Sequence, residues 1–261
     1  MVVTLELTPS LAVGFLLVLA RVGGLMFSTP FLGSAAIPRM TRVALSLSFA
    51  LVVFPLVQHR VPTAQGDFFS LLLVLAGELV IGLLLGLVGQ LFMGTLQMAG
   101  QMMGFQVGFG VINLIDPQTQ VETSVLSTFQ SLLGIMVFLL INAHHWFIRA
   151  VLESYDLLTP RGLTISGDLI TQLIRLSSGI FKMGFQLAAP VIVVLAIVDI
   201  LLGVLGRAAP QIHILIVGMP VKVMVGLFFL SASFSILIPA IARYLGHFHA
   251  EIYRLLTHLA S

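Results

Sequence analysis

Long stretches free of charged residues alternate with short polar breaks along the whole chain. The uncharged runs are 22–38, 43–59, 79–115, 123–148, 183–198 and 223–242. Crossing hydrocarbon takes roughly 20 apolar residues in helix, at ~1.5 Å rise each. Several runs are long enough alone, and the others need an end charge that snorkels or a partner that covers it.

The breaks divide the runs into helices. Thr8 followed by Pro9 reads as an N-cap and a proline at the first helical position, so a first helix runs from 9 to about 28. The stretch TPFLGS ends it, and Arg39 and Arg42 mark the polar start of a second apolar segment that reaches Pro55. A loop with Pro62 and Gly66 leads to a third helix, from Phe68 to about Gly104, whose single charge is Glu78. It is long for one span, so it tilts, bends or extends beyond the bilayer. A fourth helix is expected to start at Pro117 with Asp116 as its cap and to run to about Trp146. After a polar loop at 153–168 come two long helices, 168–206 and 211–258, kinked by Pro190, Pro220 and Pro239. The expected fold is all-α: an integral membrane or membrane-associated bundle of long kinked helices. Four of them form an N-terminal part, 1–152, and a kinked hairpin forms a C-terminal part, 153–261. The N-terminus lacks the basic region of a cleavable signal, so the first apolar segment is expected to remain as an anchor.

Composition sharpens this reading. Hydrophobic residues make up 59% and charged ones 8% of the chain, against about a quarter charged in soluble domains. Such a surface needs lipid or other protein around it. With no cysteine, disulfides and Cys-ligated zinc or iron–sulfur centres are excluded. The net charge of +2 comes from scattered residues and not from a basic stripe, which argues against nucleic acid as a partner. Lysine and arginine are not biased to one set of loops, so the positive-inside rule assigns no orientation. No HExxH zinc motif or GxSxG nucleophile elbow occurs. The adjacent His144 and His145 point ~100° apart on a helix, poor geometry for a shared metal. Neither an enzyme nor a cofactor or metal site is expected.

Charges inside apolar segments are functional candidates by default. Glu78, Lys182, Asp199 and Lys222 qualify. They read as interhelical or intersubunit ion pairs, with Asp199 and Lys222 across the C-terminal hairpin; an ion-coupled transporter working through Glu78 and Asp199 is the rival reading. Met103-Gly104-Phe105-Gln106 recurs as Met183-Gly184-Phe185-Gln186, a short echo that does not by itself establish a duplication.

The most unusual stretch is QMMGFQVGFGVINLIDP, residues 101–117. Gly100, Gly104 and Gly108 recur every four residues, as do Gly82 and Gly86, and in lipid such small-residue faces let helices approach closely. After Gly104 the pattern changes. Phe105, Gln106, Val107, Gly108, Phe109, Gly110, Val111, Ile112, Asn113, Leu114, Ile115 and Asp116 read as an apolar loop between helices. Irregular backbone at membrane depth must be buried in protein or line an aqueous cavity. An apolar loop there suits a plug or gate, because apolar constrictions close by dewetting. The methionines around it, Met93, Met98, Met102 and Met103, are soft enough to seal against varied shapes. A tightly packed turn without gating is the bland alternative.

Residues 105–118, with the segments LARVGGL at 19–25 and RMTRV at 39–43, resemble the FliR family, the R subunits of type III secretion export gates in flagella and virulence injectisomes. The resemblance covers the whole chain in length and order of segments. It implies an R subunit similar to a P subunit fused to a Q subunit, with 1–152 as the P-like and 153–261 as the Q-like part. It further implies a helical hetero-oligomeric pore shared with FliP and FliQ, contact with FlhB and with basal-body ring and rod proteins, and passage of unfolded flagellar proteins. The central loop would plug the closed pore, extending to about Glu122. The site implied is the bacterial inner membrane within the flagellar basal body, partly on the periplasmic side, with lipid around it. A structural scaffold of the export apparatus is the other alternative.

Overall fold

A computed structural model of the chain describes residues 9–30, 37–61, 67–109, 124–158, 167–211 and 213–260. Every regular element among them is an α-helix: α1 Pro9–Ser28, α2 Arg39–Val57, α3 Phe68–Val107, α4 Val125–Leu140, α5 His144–Leu157, α6 Gly167–Ala208 and α7 Ile214–Ala260. Five of these, α1, α2, α3, α6 and α7, are long and apolar enough to cross a membrane. The broken pair α4 and α5 makes a sixth if it counts as one span.

Two expectations need correction. The third helix does not stop at Gly104 but continues through Val107, so Phe105, Gln106 and Val107 are helical and not loop. The expected fourth helix, 117–146, is interrupted within its described part, where α4 and α5 are separate helices. Ser124 caps α4, its hydroxyl accepting from the Leu126 amide at 3.3 Å. Asp116 lies outside the described residues, as does Pro117. The helix then breaks between Leu140 and His144, where Asn142 takes the left-handed conformation (φ 55). Asparagine tolerates that region better than most residues, because its short amide can bond locally.

The described chain forms two compact units. The first holds residues 1–91, 142–176 and 246–261. Leu17, Val18 and Val22 of α1 are fully buried there, as are Ala50 and Val57 of α2 and Leu85 of α3. Phe15 and Phe54 meet edge to face at 5.6 Å. At its polar margin, Gln172 donates to Glu251 at 2.8 Å, and Arg254 pairs with the same carboxylate at 2.8 Å. Arg60 and Asp156 pair at 2.7 Å on the surface.

The second unit holds residues 92–141 and 177–245. Leu96, Met103, Leu195 and Leu245 are fully buried in it. Phe92 stacks on Tyr244 with ring centroids 5.4 Å apart, and the Tyr244 hydroxyl lies 3.2 Å from Thr95 Oγ1. Residues 142–176 remain together in the first unit.

Candidate functional sites: a buried arginine and a pinned loop

Arg21 is the one charged residue of α1 and is fully buried. An isolated guanidinium there would forfeit several kcal/mol of hydration, so it gathers acceptors. Nε donates to Glu78 Oε2 at 2.6 Å and Nη2 to Glu78 Oε1 at 2.9 Å, a bidentate pair with α3. Nη1 donates to the Ser154 hydroxyl at 2.8 Å, and Nη2 also donates to the Leu158 carbonyl at 3.3 Å. The guanidinium carbon sits 3.8 Å from the centre of the Tyr155 ring, and the Tyr155 hydroxyl donates to Glu78 Oε2 at 3.5 Å. One planar cation thus holds α1, α3 and the end of α5 together. Its fork suits a two-oxygen acceptor in a way lysine cannot match.

Small residues bring the backbones close enough for this. A Cβ added at Gly82 would run into the Arg21 carbonyl oxygen, and one at Gly24 would come 2.5 Å from the Leu79 carbonyl oxygen. One turn on, a Cβ at Gly86 would meet the Ser28 hydroxyl, which itself donates to the Leu83 carbonyl at 2.9 Å. The crossing of α1 and α3 therefore has room for hydrogen atoms only at Gly24, Gly82 and Gly86.

The second unit repeats the device next to the loop. A Cβ at Gly100 would strike the Ser127 backbone, and one at Gly104 would strike the Ser124 hydroxyl. Ser127 donates to the Gln97 carbonyl at 3.1 Å, tying α4 to α3 along the same seam. The helix then ends in a Schellman arrangement. The amides of Gly108 and Phe109 reach back to the Phe105 and Gly104 carbonyls at 3.2 and 3.0 Å, and Gly108 takes φ +108. A left-handed residue with these two bonds is the standard way to satisfy a helix's last carbonyls. The end of α3 and the start of α4 are thus held side by side, because Gly104 lies one turn before the α3 stop and Ser124 caps α4. Gly110, Val111, Ile112, Asn113, Leu114, Ile115 and Asp116, with the extension to Glu122, fall outside the described residues.

Gln106 occupies the last turn of α3, where its amide nitrogen donates to Asp199 Oδ2 at 2.8 Å. Lys222 pairs with the same carboxylate at 2.8 Å, linking α6 to α7. Asp199 is half exposed in the isolated chain. Lys182 differs from the expectation of a buried pair: it is exposed and makes no ion pair among the described residues. Gln130 of α4 was not anticipated. It is fully buried, and neither of its side-chain amide atoms has a hydrogen-bond partner among the described residues.

Glu78 was conspicuous as a lone charge in an apolar run; Arg21 carries the same signal in α1. Ser154 and Tyr155 carry no such mark, since they lie at the edge of a polar stretch.

Residues 12–248 match the family described as bacterial export proteins, family 1. The chain belongs to that family. The flagellar biosynthetic protein FliR of Escherichia coli (strain K12) is 30% identical over 244 residues, 93% of this chain and 91% of that protein. The protein of the same name from Caulobacter vibrioides is 32% identical over 219 residues, 84% of this chain and 87% of its own length. That of Bacillus subtilis (strain 168) is 28% identical over 226 residues, covering 85% and 86%. The match to the export family takes in Arg21, Glu78, the pinned loop, Asp199 and Lys222 alike.

Proposed function

We propose that the chain is the R subunit of a flagellar type III protein export gate, a component of the bacterial inner membrane within the basal body. In this reading it joins P- and Q-type subunits, FliP and FliQ, with FlhB nearby, around a channel for unfolded flagellar proteins. Residues 1–152 act as the P-like and 153–261 as the Q-like part. The loop that begins at the α3 stop and extends to Glu122 plugs the closed channel. Energy comes from other export proteins.

The observation that carries the plug is the pinned loop. A Schellman stop at Gly108 and a serine cap at Ser124 fix both ends at one place in the second unit. The first part of the sequence between them, Phe109 to Ile115, is apolar apart from Asn113. An apolar segment whose flanks are held together is what closure by dewetting asks for.

A transporter working through Glu78 and Asp199 finds less support. Both Glu78 oxygens are engaged by Arg21, and Asp199 is held by Lys222 and Gln106, so both carboxylates already have partners within the chain.

Co-expression with P- and Q-type subunits, followed by native mass spectrometry of the detergent-extracted material, tests the assembly. The expected result is one copy of this chain in a complex with several copies of each partner. A functional chain that extracts without any partner contradicts the proposal.

A further inference from the structure

On α6, Lys182 and Gln186 lie four residues apart and so share one face. Both are exposed, and neither makes a hydrogen bond or ion pair among the described residues. Pro190 stands four residues further on in the same helix. Lacking an N–H, it leaves the Gln186 carbonyl without its intrahelical donor. Around these polar groups the helix exposes Phe181 at 64%, Phe185 at 52% and Val193 at 56%. The opposite face is spoken for: Leu187, Ala188, Val191 and Leu195 are buried, and a Cβ on Gly184 would come 3.3 Å from the Thr95 carbonyl oxygen.

Lipid is a poor occupant for such a face. A cation, an amide and an open carbonyl aligned on a helix of membrane-spanning length each lose hydration without return in hydrocarbon. Large aromatics beside unsatisfied polar groups instead have the chemistry of a protein seam. We infer that this face of α6 is a docking seam for a helix of a neighbouring subunit, one that presents a carboxylate to Lys182 and a hydrogen-bond donor to the Gln186 carbonyl. Charge complementarity selects the partner: Lys182 needs an anion, and of the two acids on the same helix Asp168 lies fourteen residues away in the first turn while Asp199 is occupied by Lys222 and Gln106. The inference rests on the multi-subunit gate reading.

The test uses the full chain co-expressed with the P- and Q-type subunits. A carbodiimide, which joins an amine to a carboxylate only when the two are in contact, is applied to the intact complex and the linked peptides are mapped. The expected product couples Lys182 to an aspartate or glutamate of another subunit and is absent from Lys182→Arg, which still assembles. Lys182→Glu lowers the yield of complex about tenfold, and changing the mapped acid to lysine restores it. Helical circular dichroism of the extracted Lys182→Glu chain, equal to wild type, shows that the loss is one of docking and not of folding. Complexes that form as well with Lys182→Glu and show no linkage at Lys182 overturn the seam while leaving the gate intact. A wild-type chain that joins no partner overturns the gate reading, and the seam with it.

Discussion

Removing either member of the Arg21–Glu78 pair strands the other charge in a fully buried place. Arg21→Leu and Glu78→Leu should each lower the unfolding free energy by about 3–5 kcal/mol, the usual penalty for an uncompensated buried ion. Denaturation of the detergent-solubilised chain measures it. Replacing both together should lose clearly less than the sum of the singles, because an apolar pair at the site leaves no orphan charge. Additive losses would mean that the two side chains do not depend on each other. Gln130 works in the opposite direction. Its buried, unpartnered amide carries a desolvation penalty of about 1–3 kcal/mol. Gln130→Leu should therefore raise the thermal midpoint, and a fall would mean that the amide has a partner outside the described residues.

Glycines on the helices separate into two kinds by what surrounds them. Gly82 and Gly100 face the backbones of Arg21 and Ser127, whereas Gly77 and Gly203 have nothing within 4 Å of an added Cβ. Gly77→Ala and Gly203→Ala should be neutral or stabilising by up to ~1 kcal/mol, the gain in helix propensity. Gly82→Ala and Gly100→Ala should destabilise the chain despite the same gain, read by the same denaturation series. The four-residue glycine spacing was legible because small residues on one face have a single economical use in lipid. What it could not reveal is the partner surface: Ser28 for Gly86, and Ser124 and Ser127 for Gly104 and Gly100, since serine blends into any polar background. The end of α3 was misplaced by one turn for a related reason. Gly104 and Gly108 look alike in sequence, yet one is a packing residue and the other a helix stop with φ +108. Gly108→Ala should cost about 1–2 kcal/mol through the left-handed backbone alone.

The whole molecule followed from composition more directly than its details did. Helices at 9–28, 39–57 and 68–107 sit within a few residues of the expected spans, because long uncharged runs bounded by proline, glycine and arginine have few alternatives. The fourth expected span was less exact: among the described residues it is broken between Leu140 and His144, while its expected start at Asp116-Pro117 lies outside them. Its break near Asn142 also lies inside an uncharged run, where charge carries no information. Buried acceptors for Arg21 come from residues 57 and 133 positions away, a separation no local pattern encodes. These scales converge on the segment between Gly108 and Ser124, whose flanks are held together by the contact of Gly104 with Ser124. Its role is tested most directly by single-channel conductance of the assembled complex, reconstituted with this chain carrying a deletion of residues 111–120. The collar, Gly104 against Ser124, remains in that variant, so the complex should still form. The account predicts an assembled complex that passes a steady ion current where the wild-type complex is closed. An assembled deletion complex that stays as tight as wild type would contradict it and leave the loop a packing element only.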